Sequence, residues 1–196
     1  MRPALLLALG GGILLAGAAA VADPGADPGA GRTVASMCRT CHGIDGFATI
    51  PTAPHIGGEP RAYLQAQLLA FKTGRRTHNI MNVVAAGLST QQIADVSAWY
   101  SAHQVRATLP PGANPNDAPQ PCIACHGADG IARVPDAPNL AGEANVYIST
   151  QLNAFRRGPR DHAIMAQVAG ALTPAEIRAI ADWYAAITLE ITPPAP

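Results

Sequence analysis

The 196-residue chain is 48% hydrophobic and only 13% charged, with 13 basic residues balanced by 13 acidic ones. That balance excludes a basic nucleic-acid binder and an acidic disordered tail. Aromatic residues make up 5%, too few to fill the cores of small domains, which at that size need a disulfide, a metal or a cofactor at the centre.

Residues 1–22 read as a secretory signal. Arg2 gives the positive start, Ala4 to Leu15 an apolar stretch broken only by glycines, and Ala20-Val21-Ala22 an A-x-A cleavage site. The mature chain is expected to begin at Asp23 and to reside in the periplasm. The alternative is an uncleaved anchor, because the run from Pro3 to Ala22 is nearly long enough to span a bilayer. No cysteine stands near this boundary for lipid attachment, and any membrane association would be peripheral. Residues 23–30 and the proline-rich end read as loose termini.

From Cys38 onward the chain is one unit written twice. A shift of 84 residues aligns 38–104 with 122–188 without a gap, and 29 of the 67 aligned positions are identical. Two copies are too few for a solenoid, so they imply two homologous domains, 31–104 and 122–188. The connector, 105–121, holds five prolines with Gly112, Asn114, Asn116 and Asp117. Such a composition is expected to be stiff and extended.

Each copy has the same coarse layout. A helix is predicted from Pro60, with Tyr63, Leu64, Gln67, Leu68 and Phe71 on one face and Gly74 as its stop. Its twin carries Tyr147, Ile148, Gln151, Leu152 and Phe155 and ends at Gly158. The last helix opens on a capping box, from Ser89 to Gln92 and from Thr173 to Glu176. Its apolar stripe is Ile93, Val96 and Tyr100 beside Trp99, matched by Ile177, Ile180 and Tyr184 beside Trp183. No alternating strand pattern stands out, and both domains are expected to be all-α.

Cys38-Arg39-Thr40-Cys41-His42 and Cys122-Ile123-Ala124-Cys125-His126 are both C-x-x-C-H. On a helical turn this spacing offers two thiols to the haem vinyl groups and places the histidine under the iron. A zinc ribbon would bring its cysteine pairs much closer together in sequence and needs no histidine. A redox C-x-x-C wants a βαβ setting. Two structural disulfides stay conceivable for four cysteines in a secreted chain. Two copies in register behind a signal favour covalent attachment of two haem c groups through Cys38, Cys41, Cys122 and Cys125.

His42 and His126 are then the proximal ligands. Met81 and Met165 each follow their histidine by 39 residues and are the candidate sixth ligands, a set that raises the reduction potential. Met37 has no counterpart. His78 and His162, three residues before each methionine, are the rival ligands, although their polar surroundings suit solvated loop residues. The Pro54 and Pro138 carbonyls are candidate acceptors for the second imidazole nitrogen. Trp99, Trp183, Tyr63 and Tyr147 suit either haem contact or core packing.

The chain resembles the dihaem cytochrome c4 family. The resemblance rests on Cys-x-x-Cys-His-Gly-x-Asp-Gly in both copies and on Gly-Glu-x-x-x-Tyr-x-x-x-Gln-Leu from Gly58 and Gly142. It extends to the turns 71–75 and 155–159 and to Ile-Met at 80–81 and 164–165. It implies two class I cytochrome c domains related by a pseudo-two-fold axis, with haem propionate edges meeting at the interface. Cys38, Cys41, His42 and Met81 would serve one haem, and Cys122, Cys125, His126 and Met165 the other.

With both axial positions filled by protein, the expected role is outer-sphere one-electron transfer between respiratory or dehydrogenase partners, not enzymic turnover. An alternative is a cytochrome subunit of a dehydrogenase complex, of the flavocytochrome c sulfide dehydrogenase or alcohol dehydrogenase type. A haem enzyme in its own right would want an open iron. Residues 31–104 carry six basic against three acidic residues, and 122–188 five against six. The first half is therefore expected to dock an acidic redox partner through Lys72, Arg75 and Arg76.

Overall fold

The computed structural model describes residues 25–194; the expected signal segment lies outside them. The N-terminal half contains α1 (Pro28–Ala35), α2 (Arg39–His42), α3 (Arg61–Lys72), α4 (Asn79–Ala86) and α5 (Thr90–Ser101). The C-terminal half contains α6 (Gln120–His126), α7 (Asn145–Arg157), α8 (Ala163–Ala171) and α9 (Pro174–Ala185). In the first half α1 and α3 pack on α5, and α3 also meets α4; in the second, α7 packs on both α8 and α9. The architecture is mostly helical, two similarly built halves in tandem with a small two-stranded sheet.

Local chemistry explains the helix ends. Both capping boxes form: Ser89 and Thr173 accept from the backbone N–H three residues on, and Gln92 and Glu176 bond back to the cap. Helix α3 starts just after Pro60, and α7 stops at left-handed Gly158. The core of the first half gathers Val34, Leu64, Ile93, Val96 and Tyr100, and that of the second Ile148, Leu152, Ile177, Ile180 and Tyr184.

Two expectations from the sequence need correction. Residues 28–30, read as part of a loose terminus, begin α1, which has low intrinsic propensity in Pro-Gly-Ala-Gly but is held by α5. Residues 105–108, the start of the expected linker, join Gln104 in β1 (Gln104–Thr108), which pairs antiparallel with β2 (Thr188–Thr192). The register runs from Gln104 opposite Thr192 to Thr108 opposite Thr188. Val105, Ala107, Leu189 and Ile191 turn inward while their neighbours face solvent, the period of a half-buried strand. The central pair is Arg106 and Glu190, which are repeat equivalents, so the ribbon lies across the pseudo-two-fold axis and ties the halves together.

Candidate haem-attachment sites

Each C-x-x-C-H lies on a short helix, α2 or α6, that ends in a glycine with φ of 71°. Only glycine takes that conformation without strain, and at Gly43 a Cβ would collide with the Phe47 carbonyl. The turn leaves the histidine buried at the centre of its half: His42 is 9% exposed and His126 6%. The His42 Nδ1–H donates to the Pro54 carbonyl over 2.9 Å, and the His126 Nδ1–H to Pro138 over 2.9 Å. A carbonyl can only accept, so this bond fixes the tautomer and leaves Nε2 as a bare lone pair with no hydrogen-bond partner among the described residues. Burial lowers both imidazole pKa values, so the rings are neutral. A neutral, oriented imidazole nitrogen with no competing proton is the donor that haem iron takes.

The last helix of each half steadies this arrangement. Trp99 Nε1 donates to Ile44 O and Trp183 Nε1 to Ala128 O, both over 3.0 Å. The Tyr100 hydroxyl donates to Gly43 O over 3.3 Å and the Tyr184 hydroxyl to Gly127 O over 3.1 Å. The turn after each C-x-x-C-H motif is thereby pinned to α5 or α9.

None of the four cysteines is in a disulfide. Burial raises the Cys38 thiol pKa and pushes that of Cys122 up to about 11. Metal binding or thiol exchange requires the thiolate, which these surroundings disfavour, and among the described residues no three His, Cys, Asp or Glu side chains converge. The donor set fits haem c: paired thiols one turn before a neutral imidazole, in register in both halves.

Met81 and Met165 are half-buried in the first turns of α4 and α8. Met165 packs on the cluster that contains Cys122, whereas Met81 lies outside the first-half cluster. His78 and His162 are the N-caps of these helices. The Nδ1 of each accepts the methionine backbone N–H over 3.3 Å, and each ring stands edge-on to Phe71 or Phe155. They are capping residues, a role that their solvated setting in the sequence did not suggest.

Several residues identical across the repeat meet between the halves, a role that the sequence did not indicate. Arg76 and Arg160 face each other across the axis as an isolated backbone bridge. Arg76 donates to Gln67 and Gln151, each over 2.7 Å, and to the Tyr147 hydroxyl over 3.1 Å. Arg160 donates to Gln151 over 3.1 Å, Gln67 over 3.0 Å and the Tyr63 hydroxyl over 2.8 Å. The two tyrosines thus belong to an interdomain network. Arg76 is 7% exposed and cannot serve as a docking residue. Lys72 is also engaged, donating to Ala86 O and Leu88 O.

Nearby lie two buried carboxyls, Glu59 and Glu143, 4% and 3% exposed. Glu59 accepts the Asn139 N–H over 2.9 Å, and Glu143 takes a backbone bond from His55. Burial holds both pKa values well above the usual carboxylate range, and Glu59 raises that of Glu143 further. His55 and Asn139 are equivalents of different type doing one job. Each accepts from a loop N–H, of Ala48 or Ala132, and each donates across the axis, to Gly142 O or Gly58 O.

Comparison with known proteins agrees with this geometry. A cytochrome c family model matches residues 119–186. The chain is 29% identical over 191 residues to cytochrome c4 of Pseudomonas aeruginosa, covering 87% of this chain and 94% of the relative. It is 32% identical over 177 residues to a thiosulfate dehydrogenase electron acceptor of Stutzerimonas stutzeri, covering 80% and 82%. The crystal structure of reduced recombinant cytochrome c4 from Pseudomonas stutzeri superposes with a TM-score of 0.71 at 27% identity, over 83% of this chain and all of the other.

Proposed function

The chain belongs to the dihaem cytochrome c4 family, whose members transfer electrons and are not enzymes, and on that premise we propose that it carries one covalent haem c in each half and moves single electrons between periplasmic redox partners. It is a c-type cytochrome. Cys38, Cys41, His42 and Met81 would hold one haem, and Cys122, Cys125, His126 and Met165 the other. When bound, haem supplies the reversible one-electron couple of its iron. The protein's own part is to keep each imidazole neutral and fixed through the Pro54 or Pro138 carbonyl and to exclude water around it. The observation that carries this reading is the bare Nε2 of His42 and His126, prepared identically in the two halves.

Pyridine haemochrome analysis of the mature protein should give two haems per chain. The ferric spectrum should show the thioether sulfur-to-iron band, and Met81→Ala and Met165→Ala should each remove about half of it. A single haem, or a band untouched by either substitution, would overturn the assignment. Export is tested by N-terminal sequencing of the mature chain, expected to start at Asp23. Among the described residues no helix is long and apolar enough to cross a membrane.

The likeness to a thiosulfate dehydrogenase electron acceptor favours a second, narrower reading, an acceptor dedicated to one dehydrogenase. Stopped-flow reduction by thiosulfate dehydrogenase, compared with reduction by other periplasmic donors, decides between a dedicated and a general carrier.

A further inference from the structure

The two halves differ most on the outer face of their last helix. In the first half α1 covers α5. The Asp27 N–H donates to Asp95 Oδ1 over 2.9 Å. Gly31 crosses so closely that a Cβ would fall 2.0 Å from the Asp95 carbonyl oxygen. The Arg32 guanidinium lies 5.7 Å from the centre of the Trp99 ring. Ala94, Asp95 and Ala98 are buried as a result.

In the second half the equivalent span, 112–119, makes only a 3-10 turn, Pro115–Asp117. The matching α9 residues Arg178, Ala179 and Asp182 are exposed. Between this face and the linker runs a groove of about 390 Å³, whose floor is Leu172, Ala179, Ile180 and Trp183 with Pro119 and Pro121 as one wall. Its rim is acidic. Asp117 and Glu176 line it, and Asp182 stands beside Trp183, bonded to Asn145 Nδ2; Arg178 is the one nearby cation on α9. The carboxylate that anchors the covering helix in the first half, Asp95, is Ala179 here, so acidic charge has moved from the floor to the edge.

We propose that this open face of α9 docks a short basic helix of a partner protein. The occupant carries a glycine where it crosses Ala179 and an arginine or lysine next to it, set over Trp183. The first half supplies both the template, Gly31-Arg32 on Trp99, and the reason for the fit: a helix that brings its own cation meets Asp117, Glu176 and Asp182 at the rim and needs no central carboxylate. Charge of opposite sign at the rim speeds and orients such encounters, and the apolar floor provides the buried area. The surface lies on the outer side of α9 and borders the haem-attachment helix, because Pro121 in its wall immediately precedes Cys122 and Trp183 in its floor donates to Ala128 O.

The probe is residues 25–37 of this chain as a peptide with Asp27→Asn, which keeps a capping side chain and leaves Arg32 as its one charged side chain, stapled between exposed positions 29 and 33. The staple is needed because a free helix of this length is marginal in water. It is titrated into the ¹⁵N-labelled ferrous holoprotein. The expected result is a set of shifts confined to the Ala179 and Asp182 amides and the Trp183 indole. Affinity should fall about tenfold or more with an Arg32→Glu peptide, or when the exposed Ala179→Arg substitution fills the groove while the haem spectrum stays unchanged. The proposal is overturned by absence of shifts at about 2 mM peptide, by shifts indifferent to Ala179→Arg, or by shifts on α5 alone. Sedimentation equilibrium of the holoprotein showing a dimer that Ala179→Arg dissociates would give the face to a second copy and would also refute it.

Discussion

The halves share whatever touches the imidazole and differ in what surrounds it. Both have the Nδ1-to-proline bond, the tryptophan and tyrosine ties to the turn after the haem-binding motif, the histidine cap on the methionine helix, and the arginine that crosses the axis. Beyond these the first half is more tightly bound. It has α1 over α5, the buried His103 between the Trp99 carbonyl and Asp45, and two polar ties from α3 to the end of α4. The second half has Ile187 for His103 and an open groove for α1. Two copies of one unit therefore keep the contacts around the imidazole while the contacts on the outer face of the last helix diverge.

The sharpest way to break the comparison is Gly31→Ala. The added methyl would meet the Asp95 carbonyl at 2.0 Å and Trp99 Cβ at 2.9 Å, so α1 must leave α5. The expected cost is about 3 kcal/mol or more in the first half. Urea unfolding followed at the haem bands should become biphasic, with the first half melting before the second. An unaltered single transition would show that α1 contributes little to that half. Pro115 stands at the equivalent place in the second half, and Pro115→Ala should change stability by under about 0.5 kcal/mol.

Next in size is Arg160→Leu. Arg160 is 7% exposed and bonds Gln151, Gln67 and the Tyr63 hydroxyl. Removing the guanidinium takes the donor from the buried Tyr63 hydroxyl, while Gln67 and Gln151 keep their bonds from Arg76, and is expected to cost about 2 kcal/mol. It should loosen the halves without disturbing either imidazole. Small-angle scattering should report a larger radius of gyration, while each haem keeps its own spectrum. Arg76→Leu should do the same by the symmetry of the network. If only one of the two loosens the interface, the pseudo-two-fold equivalence fails there.

The buried carboxyls give a pH-dependent effect. In the folded state Glu59 and Glu143 have raised pKa values, so they stay protonated where the unfolded chain has already ionised. Below the ordinary carboxylate range both states hold the proton and no stability is at stake. As pH rises from there towards the folded-state values, the unfolded state binds fewer protons and stability falls, by up to about 1.4 kcal/mol per pH unit for each carboxyl. Urea midpoints measured between acid and neutral pH should therefore decline. Glu59→Gln with Glu143→Gln should flatten that decline, and an equal slope in the double variant would remove these groups as its cause.

Much of the inner site was legible from residues alone. The paired C-x-x-C-H motifs, the proline twelve residues after each histidine, and both capping boxes depend on short sequence distances, where spacing translates directly into geometry. The strands were harder. Gln-Val-Arg-Ala-Thr and Thr-Leu-Glu-Ile-Thr do alternate, but each is short, and a pair only becomes a ribbon once the fold brings residue 106 opposite residue 190. Arg76 looked like surface charge because its neighbours Arg75 and Thr77 are exposed; its burial comes from contacts 71 to 75 residues away. Helix α1 was obscured by its glycine and proline content, since tertiary packing rather than propensity makes it helical.

The smallest expected effect concerns the methionine helices. In the first half Asn82 Nδ2 donates to Phe71 O over 2.6 Å and to Arg76 O over 2.9 Å, and Asn82 Oδ1 accepts the His78 N–H. The second half has Ala166 at that place and holds α8 without such ties. Asn82→Ala is expected to cost about 1 kcal/mol, because the bonds lie at the protein edge and water replaces part of them. The more telling readout is ligand exchange. If these bonds restrain the segment that carries Met81, the ferric haem of the first half should resist added imidazole better than that of the second. Asn82→Ala should then raise its uptake to the level of its twin. Equal uptake by both haems in the native protein, unchanged by the substitution, would mean that the grip on sulfur comes from the histidine cap that the two halves share and owes nothing to the asparagine.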